Sequence, residues 1–105
     1  MKIKKVRLEG EQRYKRLLGG PPETSGLKSG YVQLMPGENV GEHRTEGKEE
    51  AIVFLEGIAE VVCEESGNIS AEAGMLVYMP PEKLHDVKNT GDTPLKYIYL
   101  TAPVK

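Results

Sequence analysis

Hydrophobic positions recur along this chain in short runs, each closed by turn-forming residues about every 8–12 positions. Residues 3–8, 13–18, 30–35, 42–45, 51–55, 59–63, 68–71, 75–79, 85–88 and 95–100 read as strands. They are punctuated by Gly19-Gly20-Pro21-Pro22, Pro36-Gly37, Gly57, Gly67-Asn68 and Pro80-Pro81. The best helical stretch, 10–18, offers only Tyr14, Leu17 and Leu18 as apolar positions and stops at the Gly-Gly-Pro-Pro turn. About ten short strands with Gly/Pro punctuation predict an all-β sandwich or barrel, not an α/β fold. The run Ala-Ile-Val-Phe-Leu at 51–55 is apolar throughout, which suits a central strand covered on both faces.

A length of 105 residues suits one domain, 1–105, with a modest core. Fourteen basic and sixteen acidic residues leave a net charge of −2, so nucleic acid is not the expected partner. Lys2, Lys4, Lys5 and Arg7 form a basic start, but Glu9 and Glu11 follow at once, the pattern of a solvated strand edge. No apolar run approaches the roughly 20 residues needed to span a bilayer, and no apolar segment follows the first lysines, so neither a membrane span nor a secretory leader is expected. The single cysteine, Cys63, rules out an internal disulfide framework and fits a reducing, cytoplasmic setting.

Chemistry has few places to reside. There are two histidines, His43 and His85. His43 lies in a short polar strand with Thr45 on the same face, two positions on. The turn Glu46-Gly47-Lys48-Glu49 then reverses the chain before Glu50, so a hairpin would bring His43 and Glu50 onto neighbouring strands. His85 opens a strand after the turn at 80–84 and shares a face with Val87 and Asn89. Two imidazoles and one carboxylate converging in a barrel interior make a 2-His-1-carboxylate site for Fe(II), Mn(II), Ni(II), Co(II) or Zn(II). Such a site leaves positions open for water or substrate.

The segment Gly37 to Gly57 resembles the first cupin motif, G-x5-H-x-H-x(3,4)-E-x6-G. Gly37, His43, Glu50 and Gly57 stand in register, with Thr45 in place of the second His. Gly74, Pro80, His85 and Asn89 match the second motif, G-x5-P-x-G-x2-H-x3-N, with Glu82 where the pattern has Gly. Residues 58–73 separate the two motifs, and 1–28 hold the N-terminal strands and loop. The resemblance implies a jelly-roll β-barrel, or double-stranded β-helix, with a site inside. It also implies a divalent transition metal held by His43, Glu50 and His85, three of the family's four usual ligands. Loss of the fourth opens one more position for substrate and weakens retention of the ion.

The neighbouring residues have ordinary expectations. Glu49 points away from Glu50, Glu42 and Glu46 face solvent, Glu82 caps a turn, and Asn89 bonds a turn. Cys63, Met35, Met75, Met79, Tyr78, Tyr97, Tyr99 and Phe54 are expected in the core or lining the pocket. No phosphate-cradling loop and no Ser nucleophile with its own base is visible. The resemblance therefore leads to a metal-dependent enzyme of dioxygenase, isomerase or lyase type acting on a small polar molecule, with catalytic residues unassigned. Its alternatives are a non-catalytic module for a sugar, metabolite or metal, and a metal-free structural barrel. A homodimer is expected, with residues 2–8 as the strand that pairs with a neighbour.

Overall fold

The computed structural model describes residues 1–64 and 67–104. Among them are nine strands: β1 (Tyr14–Gly19), β2 (Lys28–Leu34), β3 (His43–Arg44), β4 (Lys48–Glu56), β5 (Ile58–Cys63), β6 (Gly67–Glu72), β7 (Leu76–Met79), β8 (Leu84–Asn89) and β9 (Leu95–Pro103). They form a five-stranded sheet, β1-β2-β9-β4-β7, facing a four-stranded sheet, β3-β8-β5-β6. Every pairing is antiparallel. This is the double-sheet jelly roll, all-β as its spacing of turn residues predicts. No described helix is long and apolar enough to cross a membrane.

The tenth expected strand does not form. Residues 1–13 carry no ladder, and Ile3, Val6 and Leu8 are exposed. A strand needs a partner edge, and these residues pair with none in their own chain; Lys4 instead reaches Glu23 at 2.5 Å.

The core lies between the sheets, where Val32, Leu34, Ile52, Phe54, Ala59, Val61, Cys63, Ala71, Met79, Val87, Leu95 and Tyr97 pack together. In β4 the continuous apolar run conceals a strict alternation. Glu50, Ile52 and Phe54 are buried, Ala51 and Val53 are half-buried, and Leu55 is exposed. β4 is central in its sheet, as expected, but only one of its faces meets the core. Cys63, Phe54, Met79 and Tyr97 are core residues, whereas Met35, Met75 and Tyr78 are exposed. Tyr78 lies on the outer face of β7 and donates its hydroxyl to Glu49 Oε1 at 2.8 Å. Apolar type alone therefore misplaced these three residues.

Gly57 closes β4 with φ +91°, and a Cβ there would approach the Pro94 carbonyl oxygen to 2.6 Å. Both conformation and space exclude a side chain, which accounts for the last Gly of the first motif. Glu82 stands at a motif Gly position and adopts φ 68°, so this turn does hold the left-handed backbone that Gly favours.

Candidate metal centre

His43 and His85 are register partners across β3 and β8. Directly opposed residues of an antiparallel pair project to the same face, and the two rings lie 4.2 Å apart between centroids. Glu50 comes from the other sheet, on β4 between β9 and β7. The expected β3–β4 hairpin is therefore not the device that joins His43 to Glu50: β3 pairs with β8, and the carboxylate meets the imidazoles across the barrel. One ligand atom from each of His43, Glu50 and His85 lies within 4.8 Å of the others. His85 and Glu50 are buried; His43 is exposed, so the cluster sits toward the mouth of the barrel.

Hydrogen bonds orient both rings. His43 Nδ1 donates to the Gly41 carbonyl at 3.1 Å, and His85 Nδ1 donates to the Lys83 carbonyl at 3.0 Å. Each carbonyl lies two residues upstream, so one local arrangement fixes both tautomers and leaves Nε2 as the available nitrogen. His85 Nε2 faces Glu50 Oε1 at 3.0 Å. Burial pulls the His85 pKa down, but the bonds to Glu50 and Lys83 outweigh it and hold the imidazole above its ordinary value.

The arrangement fits a divalent ion. Adjacent ligand atoms about 2.1 Å from an ion and at right angles sit about 3.0 Å apart, the His85–Glu50 separation. Two imidazole nitrogens with a carboxylate are a borderline-to-hard donor set suited to first-row transition metals. Thr45, in the second-His position, directs its hydroxyl to the same Glu50 Oε1 at 3.3 Å. It thus faces the cluster and supports the carboxylate.

The cluster opens on a cavity of about 530 Å³. Val32, Val40, Ile52 and Val87 supply apolar wall, and Tyr14, Tyr97 and Tyr99 bring phenol groups. Tyr14 and Tyr99 hydroxyls are 2.9 Å apart. Burial above all raises the Tyr97 and Tyr99 phenols well beyond the ordinary value, so both stay protonated and available as donors. Lys28 and Lys48 also line the cavity, and Lys48 is held below its ordinary pKa chiefly by the charge of Lys28.

The other expectations resolve individually. Glu49 lies off the cluster, and exposed Glu42 and Glu46 line the cavity rim. Asn89 is buried with its amide saturated by the Leu34 and Thr93 carbonyls and the Gly91 N–H. Glu82 accepts the Gly47 N–H at 2.8 Å and takes a bond from Arg44 on its carbonyl.

Asp86 went unnoticed in the sequence. Its buried carboxylate accepts the Gly41 N–H at 2.9 Å and the Asn39 amide at 2.8 Å. It therefore pins the loop whose Gly41 carbonyl orients His43. The only available signal was its rarity, one of two Asp among sixteen acidic residues. Lys28, Lys48 and Tyr14 were equally invisible as lining, because the strands that bring them together are remote in the chain.

Comparison with known proteins agrees with the fold. No curated protein sequence matches the chain. Among solved structures, a cupin 2 conserved barrel domain protein of Salinispora arenicola is 26% identical, with a TM-score of 0.76 over 99% of this chain and 90% of that one. An RmlC-like cupin of Methanocaldococcus jannaschii with a double-stranded β-helix fold is 18% identical, with a TM-score of 0.75 over 96% of this chain and 92% of that one. Bacillus subtilis oxalate decarboxylase, a protein with Mn(II) centres, is 24% identical, with a TM-score of 0.70 over 74% of this chain and 22% of that one. The family model described as cupin domain matches residues 30–101, more than half of the sequence. By fold, motif register and that match, the chain belongs to the cupin family.

Proposed function

We propose that this cupin binds a divalent transition metal (Fe, Mn, Ni, Co or Zn) through His43, Glu50 and His85 and acts on a small polar metabolite in the cavity above it. The supporting observation is the pair of Nδ1–H bonds to backbone carbonyls, which leaves each ring's Nε2 uncommitted to the backbone, with His85 Nε2 facing Glu50 Oε1 and His43 in the same cluster. An ion in this set supplies Lewis acidity toward a substrate oxygen and, where it is iron, dioxygen chemistry. The side chains do the rest. Glu50 balances charge, Thr45 holds the Glu50 carboxylate, and the Tyr97 and Tyr99 phenols offer protons for hydrogen bonding. Val32, Ile52 and Val87 limit water. Dioxygenase, isomerase and lyase chemistry all suit such a site. The Mn(II) centres of the oxalate decarboxylase relative lend the metal reading weight by analogy of fold.

A second reading, a module that holds metal or metabolite without turnover, is favoured by Thr45 in place of a fourth ligand. Within either reading the chain is one domain of a cytoplasmic homodimer, with the unpaired segment 2–8 as the intermolecular strand.

Elemental analysis of protein purified without a chelating column tests the metal site. Near-stoichiometric metal is expected, with His85→Ala reducing affinity by more than about a hundredfold, since even groups that only support a ligand are worth about 10–100-fold. Wild-type protein that stays metal-free in saturating Fe(II), Mn(II) and Zn(II) overturns it. Retained metal without turnover across keto acids, diketones and sugar phosphates selects the module.

A further inference from the structure

The inner face of the five-stranded sheet carries a row of side chains whose last members have no charge partner. β9 pairs on one side with β2 and on the other with β4, so Lys28, Thr101 and Glu50 stand in one cross-strand row. Lys48 precedes Glu50 by two residues and shares its face, about 7 Å along the strand. All four line the cavity. The Lys28 stem lies over Gly20, where a Cβ would come within 2.8 Å of Lys28 Cε. Lys28 and Lys48 flank β9, opposite Thr101 and Pro103, and open into the same cavity.

Two ammonium groups lining one cavity give it a positive potential that an anionic group would offset. Lys4, Arg7, Arg13, Arg44 and Lys96 each have a carboxylate within 4 Å. Among the described residues Lys28 and Lys48 have none, as is also true of Lys2, Lys5, Lys15, Arg16 and Lys88; what distinguishes Lys28 and Lys48 is that both line the cavity of the candidate metal centre. The carboxylates that share the cavity are Glu50, two residues along the same face of β4, Glu46, two residues before Lys48, and Glu42 at the rim, and none of them forms an ion pair with either lysine. A bridging anion would satisfy both lysines at once, by charge-assisted hydrogen bonds.

We propose that Lys28 and Lys48 form an anion subsite that takes the carboxylate or phosphate group of a small metabolite, whose other end extends down the row toward His43, Glu50 and His85. The second half of this statement rests on the metal-site reading; the anion subsite itself does not.

The test is calorimetric titration of chelator-treated and of Mn(II)-loaded protein with succinate, glycerol 3-phosphate and the uncharged succinamide. At least one anion should bind wild type in both forms, and the tighter one names the headgroup. Lys28→Met with Lys48→Met should weaken it about tenfold or more, the scale of lost charge-assisted bonds, and leave metal content unchanged. Lys28→Gln with Lys48→Gln repeats the comparison should the methionine pair melt abnormally. Binding of neither anion, equal binding by the variants, or equal binding of succinamide overturns the subsite. Because metal content is measured separately, loss of the metal reading leaves the chelator-treated titration decisive.

Discussion

The His85–Glu50 contact makes an explicit demand on the metal-free protein. His85 Nδ1–H is committed to the Lys83 carbonyl and Nε2 faces Glu50 Oε1 at 3.0 Å. With two acceptors on a ring that has one proton when neutral, the pair is satisfied only when the imidazole is charged. Its folded pKa is accordingly raised. The stabilisation is fully present below the unfolded value of about 6.5 and is lost as pH rises through the raised folded value. The side chains are 0% and 6% exposed, so solvent screens the bond little. A hydrogen bond to a charged group contributes about 1.5–3 kcal/mol, and the burial that opposes charging points to the lower end. Glu50→Gln removes the charge while keeping the shape. Chelator-treated wild type should therefore exceed Glu50→Gln by about 1.5 kcal/mol more at pH 5.5 than at pH 9, or about 6 °C or more in Tm for a domain of this size. Urea denaturation of both proteins across this range is the assay, and other titrating groups cancel in the difference. A gap that is constant, or that widens with pH, refutes the reasoning. The same proton competes with metal, so below the raised pKa metal affinity should rise about tenfold per pH unit.

Three further outcomes are expected. Thr45→His restores the family's fourth ligand beside Glu50 and should tighten metal binding by about tenfold or more, read by competition with a fluorescent chelator; unchanged affinity would place residue 45 outside the coordination sphere. Asp86→Asn sets an amide against the Asn39 amide or the Gly41 N–H, costing about 1–3 kcal/mol in urea denaturation and about tenfold in metal affinity through His43. Glu82→Gly exchanges left-handed strain against one lost bond to Gly47 and should change stability by less than about 1 kcal/mol, whereas Glu82→Val, β-branched at φ 68°, should cost about 2 kcal/mol or more by thermal melting.

How far the sequence carries is clearest at the site. Spacing was sufficient to align Gly37, His43, Glu50 and Gly57, then Gly74, Pro80, His85 and Asn89, with two cupin motifs. It was sufficient because turn residues and the His and Glu positions there are local features, each dictated by backbone conformation or by the chemistry of one side chain. Nine of the ten expected strands form. Residues 3–8 do not, because strand propensity needs a partner edge and propensity alone does not say whether one exists.

Alternation, likewise, was unreadable in residues 51–55, where Leu55 is apolar yet exposed. Sequence determined the all-β class, the identities of the clustered residues His43, Glu50 and His85, and the positions of the turns. Tertiary structure alone decided that Glu50 reaches the imidazoles from the opposite sheet, that Asp86 anchors the loop behind His43, and that Lys28 and Lys48, on either side of β9, line one cavity. Cross-strand register joins residues up to 73 positions apart, as in Lys28 with Thr101. Such register is set by the packing of whole sheets against each other, not by any local pattern of residues.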